Sequence, residues 1–217
     1  MSDAYLPHEF QYSSAEHQAG TAIAGMWLFL ATEVLFFGGL FLCWIYARTQ
    51  NLAGFDAAAR ETELWIGTLN TGILLTSSFV YSTGLAFARI GNNRRLVQCC
   101  IIAIGLGLAF LALKFGLEWS GDFEKHLWPV GPGFKFAGDP NEGGARLFYV
   151  FYFIGTGLHG VHMVGGIALV SMIAWRARRG AFSPPYVTPV EVVGMYWSFV
   201  DIIWIILYPL IYLIGRS

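Results

Sequence analysis

The sequence predicts an all-α, polytopic membrane protein, a single bundle of five transmembrane helices. Of its 217 residues 56% are hydrophobic and 12% charged, about half of the roughly 25% charged fraction usual in soluble domains. Five stretches are mostly apolar over the about 20 residues that a membrane helix needs. The segments between them are rich in Arg, Gly, Pro and Asn, the residues of turns.

Residues 1–20, "MSDAYLPHEFQYSSAEHQAG", are a polar tail. They contain no Lys or Arg and no short apolar core before a cleavage site, so they do not read as a signal peptide. The remainder, 21–217, is expected to be one five-helix domain. The first span covers 21–47 and carries one charge, Glu33, in "WLFLATEVLFF". The second covers 62–88 and ends in the tight, basic loop "RIGNNRR". The third covers 96–119. Its small residues recur at four-residue spacing, Ala103/Gly107 and Gly105/Ala109, which allows close helix approach where lipid gives no hydrophobic drive. Residues 120–145 are expected to form an external loop. The fourth span covers 147–175 and the fifth 187–214. Trp65, Trp119, Trp128 and Trp175 fall near span ends, as in an aromatic belt.

Orientation follows from the density of positive charge in short loops. Arg89, Arg94 and Arg95 share one side with Arg176, Arg178 and Arg179. Positive charge is thinner on the other side, where Lys114 and Arg146 are read as lying near helix ends. The N-terminus is therefore expected inside and the C-terminus outside. Net charge is −1, which gives no basic footprint for nucleic acid. The three cysteines lie in apolar runs, without the spacing of a metal site or disulfide framework.

The informative residues are the polar ones at depth. With 1.5 Å of rise per residue, Glu33, His159, His162 and Asp201 fall near mid-membrane, and Asn70 about a third of the way along its span. Unpaired charge at that depth costs several kcal/mol. These groups should face the bundle, find partners or be neutral. Desolvation disfavours a carboxylate, so Glu33 is expected as an acid donating one hydrogen bond inside the bundle or toward lipid.

His159 and His162 are three apart and share a helix face with Gly155 and Gly166. They could ligate a metal or haem, or tie helices together by hydrogen bonds. A metal site usually takes three or four ligands, and His8, His17 and His126 lie outside the spans. The hydrogen-bonding reading is therefore the expectation. Asp201 is expected to pair with one of these histidines or a backbone donor. Glu191 is expected to support a helix N-terminus through the macrodipole. Glu118, beside Trp119, is expected to reach water at a helix end. Nothing in the chain could carry out redox chemistry alone.

Three segments together, "GMWLFLATEVLFFGGLF", "FYFIGTGLHGVHMVGG" and "YWSFVDIIWIILYPLIYLIG", resemble subunit III of the haem–copper respiratory oxidases. The resemblance spans essentially the whole chain. Its specific parts are "TGLHGVH", with Thr156, Gly157 and Gly160, and the run Tyr196, Trp197, Ser198 through Asp201.

The resemblance implies a subunit that binds no haem or copper itself, those belonging to the catalytic subunit I. It implies packing against subunit I and other oxidase subunits, phospholipid held in a cleft, and support for proton uptake during oxygen reduction. It implies a carbodiimide-reactive acid at Glu33, places His159, His162, Glu191 and Asp201 in characteristic motifs, and implies residence in a bacterial inner membrane. Two departures stand out. Many members have two further helices at the start, and Ser198 stands where the family usually has histidine. Among five-helix forms, a cytochrome c oxidase ranks first, a quinol oxidase second and an accessory protein of nitric oxide reductase third. A stand-alone proton or ion transporter using Glu33, the histidines and Asp201 is a different class; the absence of an inverted repeat speaks against it.

Overall fold

The computed structural model describes residues 10–131 and 133–216, so the first nine residues of the expected polar tail, with His8, lie outside the described part. Among the described residues five helices are long and apolar enough to cross a membrane.

Helix α1 (Ala15–Gln50) starts earlier than the apolar pattern suggests. Ser14 caps it, its hydroxyl accepting from the His17 N–H at 3.0 Å, a side-chain partner for one of the orphan N–H groups of a helix start. Its 36 residues make about 54 Å at 1.5 Å each, well beyond the about 30 Å hydrocarbon layer. A short helix, α2 (Leu52–Arg60), follows in what the sequence presents as a connection. Its apolar residues Phe55, Ala58 and Ala59 are fully buried. Helix α3 (Leu64–Arg89) is the second span.

The third span is a composite rod. Helix α4 (Asn93–Leu111) is capped by the Asn92 side chain. It runs into a π-helical segment (Ala112–Glu118) and then into α5 (Trp119–Glu124). Helix α6 (Glu142–Arg178) is the fourth span. Helix α7 (Thr188–Tyr208) is the fifth and ends in a second π-helical segment (Pro209–Leu213). The long loop, expected at 120–145, is thereby narrowed to residues 125–141.

Helix α7 is the centre of the bundle and α1 its periphery: 61% of the most apolar window of α7 is buried, against 17% for α1. Trp197 of α7 explains the small residues opposite it. A Cβ on Gly166 would lie 2.9 Å from the Trp197 ring, and one on Gly107 would lie 3.1 Å from it. The ring is wedged between α4 and α6 because both offer glycine there. Of the two small-residue pairs on the third span, Ala103/Gly107 is buried, whereas Gly105/Ala109 faces outward with open space around Gly105.

Hydrogen bonds tie α3 to its neighbours. Tyr81 Oη donates to the Val190 carbonyl at 3.0 Å, Trp204 Nε1 to Thr71 Oγ1 at 3.0 Å, and Ser77 to the Ala103 carbonyl.

The loop 125–141 folds back on the α2–α3 turn. Leu127 and Phe134 are buried, Lys135 pairs with Glu61 at 2.5 Å, and Lys125 pairs with Glu63. The hydrogen bond to Glu63 holds the Lys125 ammonium above its usual pKa. Arg216 closes the same corner by donating to the Thr62 and Ala59 carbonyls.

Helix α2 meets α6 backbone to backbone. A Cβ on Gly54 would come within 2.6 Å of Gly144 Cα and 2.8 Å of the Asn141 carbonyl. Gly54→Ala is therefore expected to lower stability by about 1–3 kcal/mol, the cost of overpacking, read as a lower unfolding temperature of the purified protein. Gly105→Ala, in open space, is expected to be neutral or slightly stabilising, because alanine favours helix by up to about 1 kcal/mol over glycine.

Candidate functional site

Two sets of polar side chains are held inside the apolar bundle. The first joins α1 to α6. Glu33 Oε2 lies 3.1 Å from His162 Nε2, and each side chain is 18% exposed. His162 Nδ1 lies 2.8 Å from the Leu158 carbonyl, one helical turn earlier. A carbonyl can only accept, so Nδ1 carries a proton and Nε2 faces the acid. Either Glu33 donates to a neutral ring, or the ring is doubly protonated and donates to a carboxylate. In both cases one proton is shared between the two groups. Phe37, almost fully buried, packs edge-on to the His162 ring at 5.2 Å. Tyr196 Oη donates to the His162 backbone carbonyl at 3.0 Å, which brings α7 to the same point.

His159 behaves differently. It is buried, neither ring nitrogen has a hydrogen-bond partner among the described residues, and the ring packs against Phe110 at 5.3 Å and Trp204 at 5.1 Å. Of the two histidines expected to tie helices together by hydrogen bonds, His162 does so, while His159 does not and is an aromatic-type core residue. The pairing of Asp201 with a histidine is not found. Asp201 lies on the α3 side of α7, facing Ser78, and its oxygens make no hydrogen bond of ordinary geometry among the described residues. The histidines sit on a different helix toward other neighbours. Asn70 is fully buried and likewise unpartnered among the described residues.

Glu191 lies in the first turn of α7, where the macrodipole favours an acid. It also accepts from Arg89 of α3 at 2.9 Å. Thr156 bonds back to the Tyr152 carbonyl at 2.7 Å. Gly157 gives room to Trp119, and Gly160 lies under the Phe115 ring.

Ser198 lines a groove between α1, α3 and α7 of about 1180 Å³. Its walls are apolar, with Leu30, Val34, Leu85 and Ile202 among them, and Arg89 and Glu191 also line it.

The second set is larger, and sequence reading missed it. Lys114, fully buried, donates to Glu118 Oε1 at 2.9 Å, Tyr212 Oη at 2.7 Å and Tyr152 Oη at 3.0 Å. Tyr212 Oη donates to Glu118 Oε1 at 2.5 Å. Tyr152 Oη lies 2.6 Å from Asp122 Oδ2 and 3.0 Å from Glu118 Oε1. The ammonium also sits 4.3 Å from the Tyr152 ring centroid, a cation–π contact.

Glu118, expected to reach water at a helix end, is 1% exposed, and Lys114 is inside the rod and not near its end. Both π-helical segments feed this cluster, Lys114 and Glu118 from the first and Tyr212 from the second. Such segments are often found at functional sites. The available signal was the spacing: Lys114, Glu118 and Asp122 recur every four residues, a charged stripe on one helix face.

No group of three His, Cys, Asp or Glu is arranged to hold a metal ion among the described residues. The family model for cytochrome c oxidase subunit III matches residues 144–216, about a third of the chain and the part that carries the α6 and α7 site residues. Curated relatives match over most of the length. Cytochrome c oxidase subunit 3 of Thermostichus vulcanus is 32% identical over 195 residues, 89% of this chain and 88% of that one. The Synechocystis protein of the same name is 31% identical over 88% of this chain and 74% of its own. A probable cytochrome c oxidase subunit 3 from Mycobacterium leprae is 32% identical over 88% and 86%.

Removing one member of a buried ion network leaves the others uncompensated, at about 3–5 kcal/mol. Lys114→Met is expected to cost that much, read as a large drop in unfolding temperature or failure to accumulate in the membrane. Glu33→Gln, which keeps a donor and an acceptor beside His162, is expected to cost no more than the about 1 kcal/mol of a single hydrogen bond.

Proposed function

Since the chain belongs to the cytochrome c oxidase subunit III family of the haem–copper oxidases, we propose that it is the non-redox subunit of a proton-pumping terminal oxidase, packing on the catalytic subunit I and holding lipid beside it. It is a multi-pass membrane protein that assembles with other oxidase subunits. On this reading haem and copper reside on subunit I, the electron donor is cytochrome c, and the membrane is a bacterial inner membrane with the N-terminus cytoplasmic.

One observation carries the lipid part of the reading. Helix α1 packs on α6 and α7 but makes little contact with α3, and this leaves an apolar groove lined also by Arg89 and Glu191. Arg89 is 61% exposed and keeps donor capacity beyond Glu191. The groove walls fit acyl chains, and the guanidinium fits a phosphate. Ser198, where the family usually has histidine, contributes a small hydroxyl to that wall and no titratable charge. Helix α1, the least buried of the spans, leaves wide apolar surface for subunit and lipid contacts.

The Glu33–His162 pair ties this peripheral helix to the bundle. We read its shared proton as structural, so the support the subunit gives to proton uptake comes through its hold on subunit I and lipid.

Two measurements test the proposal. A tagged chain extracted in mild detergent is expected to bring down a haem-containing, oxygen-reducing complex with bound phospholipid; a colourless lone protein would point to a transporter instead. In that complex Glu33→Gln is expected to assemble and to pump normally, losing only its reaction with hydrophobic carbodiimides. A large loss of pumping in the assembled variant would give Glu33 a direct part in proton supply.

A further inference from the structure

The Lys114 cluster has an odd charge. Lys114 contributes one positive charge, Glu118 and Asp122 one negative charge each, and Tyr152 and Tyr212 none when protonated. The ionised set therefore carries one surplus negative charge in a place where all five side chains are at most 2% exposed. Buried charge without compensation is costly. Lys125, a cation outside the set, lies three residues beyond Asp122 and within electrostatic reach of it, but it is committed to the ion pair with Glu63. Glu61 and Lys135 of the same corner pair with each other, and Arg216 is held by the Thr62 and Ala59 carbonyls. Tyr149 of α6 packs against Tyr152 and adds no charge when protonated.

The hydrogen-bond geometry accommodates one more proton with the heavy atoms left in place. With Asp122 ionised, the Tyr152 O–H donates to Asp122 Oδ2 across 2.6 Å, and Lys114 donates to Tyr152 Oη, Tyr212 Oη and Glu118. With a proton on Asp122 Oδ2, that acid donates to Tyr152 Oη across the same 2.6 Å. The Tyr152 O–H then turns to Glu118 Oε1 at 3.0 Å. A phenolic oxygen can accept from both Lys114 and Asp122 while donating its own hydrogen. Glu118 Oε2, buried and without a hydrogen-bond partner among the described residues, leaves that carboxylate a free acceptor in either state. The two states differ by one proton taken from or returned to water and by one rotation about the Tyr152 C–O bond.

We propose that Asp122, Tyr152 and Glu118, organised by Lys114, form a binding site for one exchangeable proton inside this subunit. Tyr152 relays between the two carboxyl groups, and the Lys125–Glu63 pair marks the end of α5 nearest water. The site is separate from Glu33 and His162 and rests on this chain alone, independent of the role proposed for the subunit.

The test is an infrared pH titration of the purified complex, comparing wild type with Asp122→Asn and Tyr152→Phe in H₂O and D₂O. The expected result is a protonated-carboxyl stretch that rises and falls with pH, shifts in D₂O, and disappears in Asp122→Asn while persisting in Glu33→Gln. Tyr152→Phe is expected to displace the titration midpoint, because the ionised acid loses its donor. A wild-type-minus-Asp122→Asn difference with no titrating carboxyl band would overturn the proposal. If Asp122→Asn does not assemble, Tyr152→Phe decides: an undisplaced carboxyl titration in that variant would overturn it equally.

Discussion

One lysine in an apolar bundle sets the terms for the rest of the fold. Lys114 is fully buried, and an ammonium there is tolerable only with charge and hydrogen-bond partners on every side. Those partners come from four places. Glu118 shares its π-helical segment, Asp122 lies in α5, Tyr152 comes from α6, and Tyr212 comes from the π-helical end of the last span. A regular α-helix through either π-helical segment would turn these side chains by about 100° per residue of register change, given 3.6 residues per turn. The surrounding sequence makes room accordingly. Gly67 of α3 is glycine where a Cβ would lie 2.9 Å from the Tyr212 ring. Gly160 is glycine beneath Phe115, the residue after the lysine.

The other polar contact is lighter and does a different job. Helix α1 touches little of the bundle, and in lipid an apolar face gains nothing by leaving its solvent. Packing on α6 and α7 is therefore supplemented by directional contacts: the Glu33–His162 hydrogen bond, with Phe37 against the same ring, and Arg48 pairing with Asp56 of α2 at 2.7 Å. Because α1 packs on α6 and α7 but makes little contact with α3, a groove stays open beside α3 and α7. The acid in the middle of "WLFLATEVLFF" is thus an anchor for the least buried of the spans.

The five spans were legible because hydrocarbon thickness imposes length and composition on them. The Glu33 question was also well posed by sequence, since a lone acid at depth demands a partner. What sequence did not reveal follows from side-chain direction. Asp201 and His159 lie at similar depth, yet they point to different neighbours, and depth alone carries no azimuth. Helix α2 was hidden by its shortness, although Gly54, Phe55, Ala58 and Ala59 do form one buried face. The Lys114 cluster was hidden by two π-helical insertions, which break the regular periodicity on which face assignment depends. It was also obscured by placing the end of the third span at Trp119, which turned a buried stripe into a pair of surface charges.

The most direct measurement is a double-mutant cycle on Lys114→Met and Glu118→Leu, with each variant's unfolding free energy determined in the same detergent. If the lysine and its acceptor act as one buried unit, the double variant recovers part of the loss. The coupling should then fall in the range of about 0.5–3 kcal/mol typical of residues in one network. Strictly additive losses would contradict the central claim and mean that Lys114 and Glu118 are held in place by the bundle, not the bundle by them.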